Sequence, residues 1–269
     1  MDLKLTGKVA LVTGASRGIG RAIARGLANE GCDVAACAVR SKPLGEAAVA
    51  LARESGRTVE GFAADLTKAD EAERMVAAVF ERFGRVDILV NNAGAAPGGV
   101  LETLSEDDWA LALQLKFMGC VRVMKHVLPR MVAQGGGRVV NLIGNDGVKH
   151  SYWEIAPGAA NAAGQNLTMS LAGQYARHNV TFVAVNPGPV RTERWDGLVR
   201  AMARDMKISV DAADRLAPRS IPVGRIAEPE EVADLVTFLA SDRAHYVNGT
   251  MIEIDGGQQK PIMDVARDG

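Results

Sequence analysis

The sequence predicts a single α/β domain in which a parallel sheet is covered by helices on both faces. Three observations carry this. Short β-rich apolar runs alternate with longer helical patterns along the 269 residues, the connections are mostly two to six residues long, and no internal repeat or linker-like stretch divides the chain. Residues 9–12 read as the first strand, followed by a glycine-rich turn and a helix over 21–30. A second strand at 33–39 leads into an alanine-rich helix at 44–53, and a third at 59–63 is closed by Asp65. Thr67 with Asp70 has the spacing of a capping box for a helix running to Phe83. A fourth strand is expected at 86–90. Ser105 and Asp108 again look like a cap, opening a long helix to about Met131. A fifth strand (138–143), a helix (159–176), a sixth strand (180–185), a helix (229–239) and a strand (251–254) complete the pattern.

Residues 191–223 break the alternation just after a strand end. Their first part, 191–219, is charge-dense, with seven Arg/Lys against five Asp/Glu. Ligands bind at the carboxyl ends of strands in doubly wound sheets, so this excursion is a candidate substrate lid; a solvated helical insertion is the alternative.

Composition excludes several classes. Lys and Arg total 31 against 32 Asp and Glu, a net charge of −1, and 48% of residues are hydrophobic. Disordered and fibrous chains do not look like this, and the near-zero charge lacks the footprint of a nucleic-acid binder. Cys32 and Cys37 lie in an Ala/Val run and Cys120 in an apolar helix candidate, so all three read as buried, inert thiols. No Cys-x-x-Cys pair or Cys/His cluster suggests a metal. Residues 1–8 have no apolar signal-peptide core, and no stretch approaches 18 uninterrupted apolar residues, so no membrane span is expected and a cytoplasmic location follows as the default. Aromatic residues are scarce, with only three tyrosines.

The turn Thr13-Gly14-Ala15-Ser16-Arg17-Gly18-Ile19-Gly20 sits between the first strand and its helix. Glycines there permit a tight turn and let backbone amides approach a pyrophosphate at a helix N-terminus. The spacing Gly14-x3-Gly18-x-Gly20 is joined by Asp65-Leu66, Asn91-Asn92-Ala93-Gly94 and the run Pro187-Gly188-Pro189-Val190-Arg191-Thr192. With Pro222-Val223-Gly224-Arg225, Val247-Asn248-Gly249-Thr250 and Asp255-Gly256-Gly257, these motifs resemble the short-chain dehydrogenase/reductase family over nearly the whole chain. The resemblance implies a Rossmann-like, doubly wound sheet of about seven strands, a nicotinamide cofactor, a small-molecule substrate, and a homotetramer or homodimer. It places Asp65 and Leu66 by the adenine, Asn92, Ala93 and Gly94 by the ribose, and Pro187, Gly188, Val190 and Thr192 by the nicotinamide end.

A carboxylate at the end of the second strand would favour NAD(H) by bonding the adenosine 2′-hydroxyl. Ala38 and Val39 stand there instead, followed by Arg40. Arg17 and Arg40 are suited to a 2′-phosphate, so NADP(H) is expected over NAD(H).

Standard members of the family use an Asn–Ser–Tyr–Lys set, in which lysine lowers the tyrosine pKa and serine orients the substrate oxygen. Here the residues four beyond the tyrosines are Ala156, Asn179 and Thr250, so no Tyr-x-x-x-Lys exists. Alignment by flanking motifs puts the serine position at Gly144, the tyrosine at Pro157, the lysine at Asn161 and the asparagine at Lys116. Lys116 and Asn161 therefore look exchanged. Lys116 is flanked by Ala112, Leu113, Gly119 and Cys120, which would desolvate it and lower its pKa. We expect it to pair with Asn161 from the opposite helix, the alternative being a lysine that snorkels to solvent. For the proton relay Tyr152 is the first candidate, with His150, Asp146 and Glu154 behind it, and Asn145 is suited to hydrogen-bond a substrate oxygen. The expected function is an NADP(H)-dependent oxidoreductase of a carbonyl or hydroxyl compound with a remodelled site. A non-redox enzyme on the same fold and a cofactor-binding protein without turnover are the alternatives.

Overall fold

In a computed structural model of the chain, which describes residues 1–268, seven parallel strands run in the order β3-β2-β1-β4-β5-β6-β7. They are β1 (Val9–Thr13), β2 (Asp33–Ala38), β3 (Val59–Ala63), β4 (Ile88–Asn91), β5 (Gly137–Leu142), β6 (Val180–Pro187) and β7 (Thr250–Ile254). The helices between them are α1 (Gly18–Asn29), α2 (Ser41–Ser55), α3 (Ala69–Phe83), α4 (Glu106–Ala112), α5 (Gly119–Ala133), α6 (Ile155–Tyr175), α7 (Glu193–Met206), α8 (Val210–Asp214), α9 (Pro229–Leu239) and α10 (Ile262–Asp268).

Every residue of β1 is buried, as its unbroken apolar run requires for a strand covered on both faces. Its alternate side chains feed two separate cores. Ala10 and Val12 pack with Ile23 and Leu27 of α1 and Val232 and Val236 of α9, whereas Leu11 packs on the other face with Val76 of α3 and Val127 of α5. The chain builds outward from β1 through β2 to β3, then returns to lay β4 against the other side of β1. That reversal opens a crevice at the carboxyl ends of the central strands.

Several local expectations change. Thr67 and Asp70 form no capping box. Asp65 Oδ1 accepts from both the amide and the hydroxyl of Thr67, a shorter-range bond that leaves Lys68 as N-cap, and Asp70 pairs with Arg74 one turn on. The Ser105–Asp108 box does form, but its long helix is interrupted by a π-helical turn over Leu113–Met118. Residues 191–223 fold into α7, α8 and a 3₁₀ turn over Ala217–Ser220, with their own core of Trp195, Val199, Met202 and Ala213. α10, which no periodicity announced, packs Ile262 and Met263 into that core. Burial pushes the thiols of Cys32, Cys37 and Cys120 up to about 12, consistent with inert residues. Among the described residues no cluster is suited to a metal ion, and no helix is long and apolar enough to cross a membrane.

Candidate active site

A cavity of about 1030 Å³ lies across the carboxyl ends of the strands, reached by the loops after β1 to β6. Its first wall is the turn between β1 and α1, where Gly14, Ser16, Arg17, Gly18, Ile19 and Gly20 all face the space. Packing here admits no larger residue: a Cβ on Gly20 would fall 2.3 Å from the Gly14 carbonyl oxygen and 2.4 Å from Asn92 Nδ2. Asn92 in turn donates to the carbonyls of Thr13 and Gly14, and Thr13 Oγ1 accepts from the amides of Asn92 and Ala93. The ends of β1 and β4 are thus tied together by side chains that shape the turn. The first turn of α1 has neither a capping side chain nor an acidic residue. Its amides are left for an anion, which fits a dinucleotide's phosphates.

Of the other residues expected at the cofactor, Leu66, Ala93, Gly94, Pro187, Gly188, Val190 and Thr192 line the cavity together with Asn92. Asp65 does not. Its carboxylate turns away to hold Thr67, and the neighbouring Ala64 and Leu66 face the space. The end of β2 presents Ala38, Val39 and Arg40, with no acid among them. Arg40 is exposed and has no ion pair among the described residues, whereas Arg17 reaches 2.8 Å to Glu193 at the start of α7.

The opposite end of the cavity gathers the charged groups. Gly144, at the tip of β5, has φ +138°, and a Cβ there would meet Asn161 Nδ2 and Asp146 Oδ1 at 2.6 Å. The expected Lys116–Asn161 pairing does not form: the Asn161 amide donates to Asp146 Oδ1. A carboxylate on the next loop is the stronger acceptor for that amide. Lys116 and Asn161 still border a small common cavity of about 10 Å³. Lys116 itself does not snorkel out. It leaves the π-helical turn, runs against Gly94, where a Cβ would fall 3.1 Å from its Cγ, and faces the main cavity. Burial lowers its pKa to about 8, opposed by the negative charge of Asp146. Glu154 lines the same space, and burial together with Asp146 raises its carboxyl to about 7.

Tyr152 and Asn145 sit differently from expectation. Tyr152 packs against the core of the 191–223 segment and does not line the cavity. Asn145 lines it, but its amide donates to Gln258 Oε1 at 2.7 Å and Asp255 Oδ2 at 3.3 Å, tying the loop to the chain after β7. Lys149 pairs with the same Asp255. Behind the site a buried polar chain runs from Asn91 through Asn141 to Thr168, and Gln165 bridges the Gly144 carbonyl to Asn186.

Residues 8–203 match the family model described as short chain dehydrogenase. The chain belongs to the short-chain dehydrogenase family. A 3-oxoacyl-(acyl-carrier-protein) reductase of Staphylococcus epidermidis is 36% identical over 252 residues, covering 93% of this short-chain dehydrogenase and 98% of the relative. Among solved structures, an L-sorbose reductase from Gluconobacter frateurii complexed with NADPH and L-sorbose superposes with a TM-score of 0.91 at 32% identity, covering 97% and 99% of the two chains. A variant actinorhodin polyketide ketoreductase with NADPH gives 0.91 at 34% identity, covering 94% and 97%.

This short-chain dehydrogenase also has Arg194 and Gln258 at the site, groups that sequence reasoning passed over, and Trp195, which the sequence left open as either pocket-lining or packing. Arg194 donates from Nη1 to the Gly94 carbonyl at 3.1 Å, bringing α7 down onto the cavity wall. Trp195 closes the same wall, 3% exposed, its indole held by Asp214. The charge density of 191–219 was the available signal for Arg194. Gln258, which anchors Asn145 and lines the cavity, had none, because its role depends on the chain after β7 folding back.

Proposed function

We propose that the protein is an NADP(H)-dependent oxidoreductase that interconverts a carbonyl and a hydroxyl group on a small molecule, through a remodelled site centred on Lys116. The observation that carries this is Lys116 itself: a partly buried lysine aimed into the cofactor cleft beside Gly94, whose ammonium makes no hydrogen bond or ion pair among the described residues. The uncapped, acid-free first turn of α1, the lack of an acid at the end of β2 and the NADPH in two similar solved structures support the cofactor.

In this reading the Gly14–Gly20 turn would hold the pyrophosphate, Arg40 with Arg17 the 2′-phosphate, Leu66 and residues 92–94 the adenosine side, and Pro187, Gly188, Val190 and Thr192 the nicotinamide side. Bound there, the cofactor supplies or accepts hydride. The chain's own part is electrostatic and steric. The Lys116 ammonium opposes the negative charge that develops on the substrate oxygen, as a donor preset in a partly dry site does. Asn161 holds Asp146, whose charge helps keep Lys116 protonated. Asn145 orients its loop through Gln258 and Asp255 rather than reaching substrate. Residues 191–223 act as the lid, with Trp195, Leu198 and Ala201 excluding water from the substrate side.

Fluorescence titration with NADPH and NADH, followed by turnover against a panel of carbonyl compounds and alcohols, tests the proposal. Binding with NADPH-dependent turnover is expected. Binding without turnover on any substrate would leave a cofactor-binding protein, and no binding would remove both.

A further inference from the structure

The proposed function assigns a group to stabilise the substrate oxygen and none to protonate it. We propose that Glu154 is the proton donor of carbonyl reduction, an assignment that rests on the oxidoreductase reading above. The placement of its carboxyl follows from the sequence around it. Glu154 is the N-cap residue of α6, a position whose side chain ordinarily accepts a hydrogen bond from an amide in the first helical turn. Here the third helical residue is Pro157, which has no amide hydrogen to give. The Glu154 side chain makes no capping bond, and among the described residues its carboxyl has no hydrogen bond or ion pair. It is left facing the cavity that Lys116, Gly94 and Gly188 also line.

The backbone beneath it is held firmly. Its amide donates to Ser151 Oγ, and Ser151 in turn donates to Asp264 of α10. The preceding carbonyl, of Trp153, accepts from Gly99 at 2.7 Å, and the Trp153 indole is bound to Asp205 of α7. A Cβ on Gly98 would strike the Trp153 ring at 2.2 Å, so that glycine lets the two loops close on each other. Glu154 thus combines a fixed backbone with a free, cavity-facing carboxyl. The neighbouring candidates lack that combination: Asp146 is engaged by Asn161, Tyr152 lies outside the cavity, and His150 does not line it.

Four charged groups act on this carboxyl. Asp146 from the loop after β5 and Asp264 from α10 favour its protonated form; Arg194 from α7 and Lys116 from the π-helical turn favour the ionised one. Burial outweighs them all and raises it to about 7, where an acid can both hold and release a proton near neutrality. In the reducing direction the carbonyl carbon gains hydride from the reduced nicotinamide and the π pair of the C=O bond moves onto oxygen. That oxygen takes the carboxyl proton of Glu154, yielding the alcohol and the Glu154 carboxylate, which is reprotonated from water entering the open cavity. Lys116 stays charged throughout and remains the electrostatic partner.

Two measurements test this, one of them independent of cofactor and turnover. Infrared difference spectra of the cofactor-free protein should show a protonated-carboxyl band that disappears as pH rises through about 7 and is missing from Glu154→Gln. Glu154→Gln should lower kcat for carbonyl reduction by about a hundredfold or more, the scale of general acid catalysis. It should also shift the fall in rate expected of the wild-type enzyme above about pH 7 up to about pH 8, where Lys116 loses its charge, with NADPH affinity unchanged. A wild-type protein without that band, or a Glu154→Gln enzyme that keeps both its rate and its pH profile, overturns the Glu154 assignment alone. A wild-type protein that binds NADPH yet reduces no carbonyl removes the oxidoreductase reading, and the role of Glu154 with it.

Discussion

The end of the cleft proposed for the cofactor is made mostly of backbone, and the end proposed for the reaction mostly of side chains. At the first, Gly14 to Gly20 present turn and helix amides, and the nearby side chains of Thr13 and Asn92 serve to tie strand ends together. At the second, Lys116, Asp146, Glu154, Asn161 and Arg194 arrive from four segments, and the charges of the four ionisable ones adjust one another. The difference teaches where each end tolerates change. A backbone cradle fails through sterics, whereas a cluster of ionisable groups fails through charge and pH.

The largest effect that sharpens this contrast is expected at Lys116. Lys116→Met should cut turnover by about 10²–10³-fold, the cost of removing a donor at a developing oxyanion, and should leave NADPH affinity nearly unchanged. Steady-state kinetics beside a binding titration separates the two. Stability should move the other way. With its folded pKa lowered from 10.5 to about 8, native Lys116 releases a proton that the unfolded chain keeps between those values. Stability therefore rises with pH across that window, and below about 8 the native state carries the full cost of a desolvated charge. Thermal melts should show Lys116→Met above the wild type at neutral pH, with the advantage gone once pH passes 10.5. A variant that loses stability and activity together would make Lys116 a packing residue instead.

At the other end, Gly20→Val should act through sterics alone. Its side chain would have to displace the Gly14 carbonyl and Asn92, an overpacking cost of about 1–3 kcal/mol. The expected outcome is a loss of NADPH and NADH affinity in similar measure, by about tenfold or more, independent of pH. Arg40→Glu should separate the two cofactors, weakening NADPH by about tenfold while sparing NADH, because only the 2′-phosphate needs the guanidinium. Equal losses for both would remove Arg40 from the phosphate site.

The smallest effect lies where the two ends meet. Arg17 and Glu193 form an ion pair across the mouth of the cleft with side chains 57% and 67% exposed, so the pair is worth at most about 1 kcal/mol. Glu193→Gln frees Arg17 for a phosphate and should tighten NADPH by no more than about fivefold, an effect that added salt should erase. Weaker binding would mean that the pair holds the lid in place rather than competing with the cofactor.

Much of the cofactor end was legible because it is local. Strand, turn and helix are contiguous from Val9 to Asn29, and glycine spacing there reports backbone geometry directly. Asp65 shows the limit even at this end: it belongs to the motif, yet its carboxylate is spent on Thr67 two residues away. At the reaction end the sequence could show which spacing was missing but not what stood in for it. Asn161 was expected to take Lys116 and instead serves Asp146, a choice set by loop geometry after β5 that no periodicity encodes. Pro157 was readable as a departure from the family spacing. Its consequence, a free N-cap carboxyl on Glu154, appears only when the start of α6 is known.

By itself, then, the sequence determined the alternating architecture, the glycine-rich turn after β1, the absence of an acid after β2 and the absence of any Tyr-x-x-x-Lys, because each is written in neighbouring residues. The tertiary structure alone decided which charged side chains share one desolvated space. A lysine or glutamate acquires an altered pKa only from groups that distant segments bring against it, and those distances do not exist until the sheet has closed on its helices.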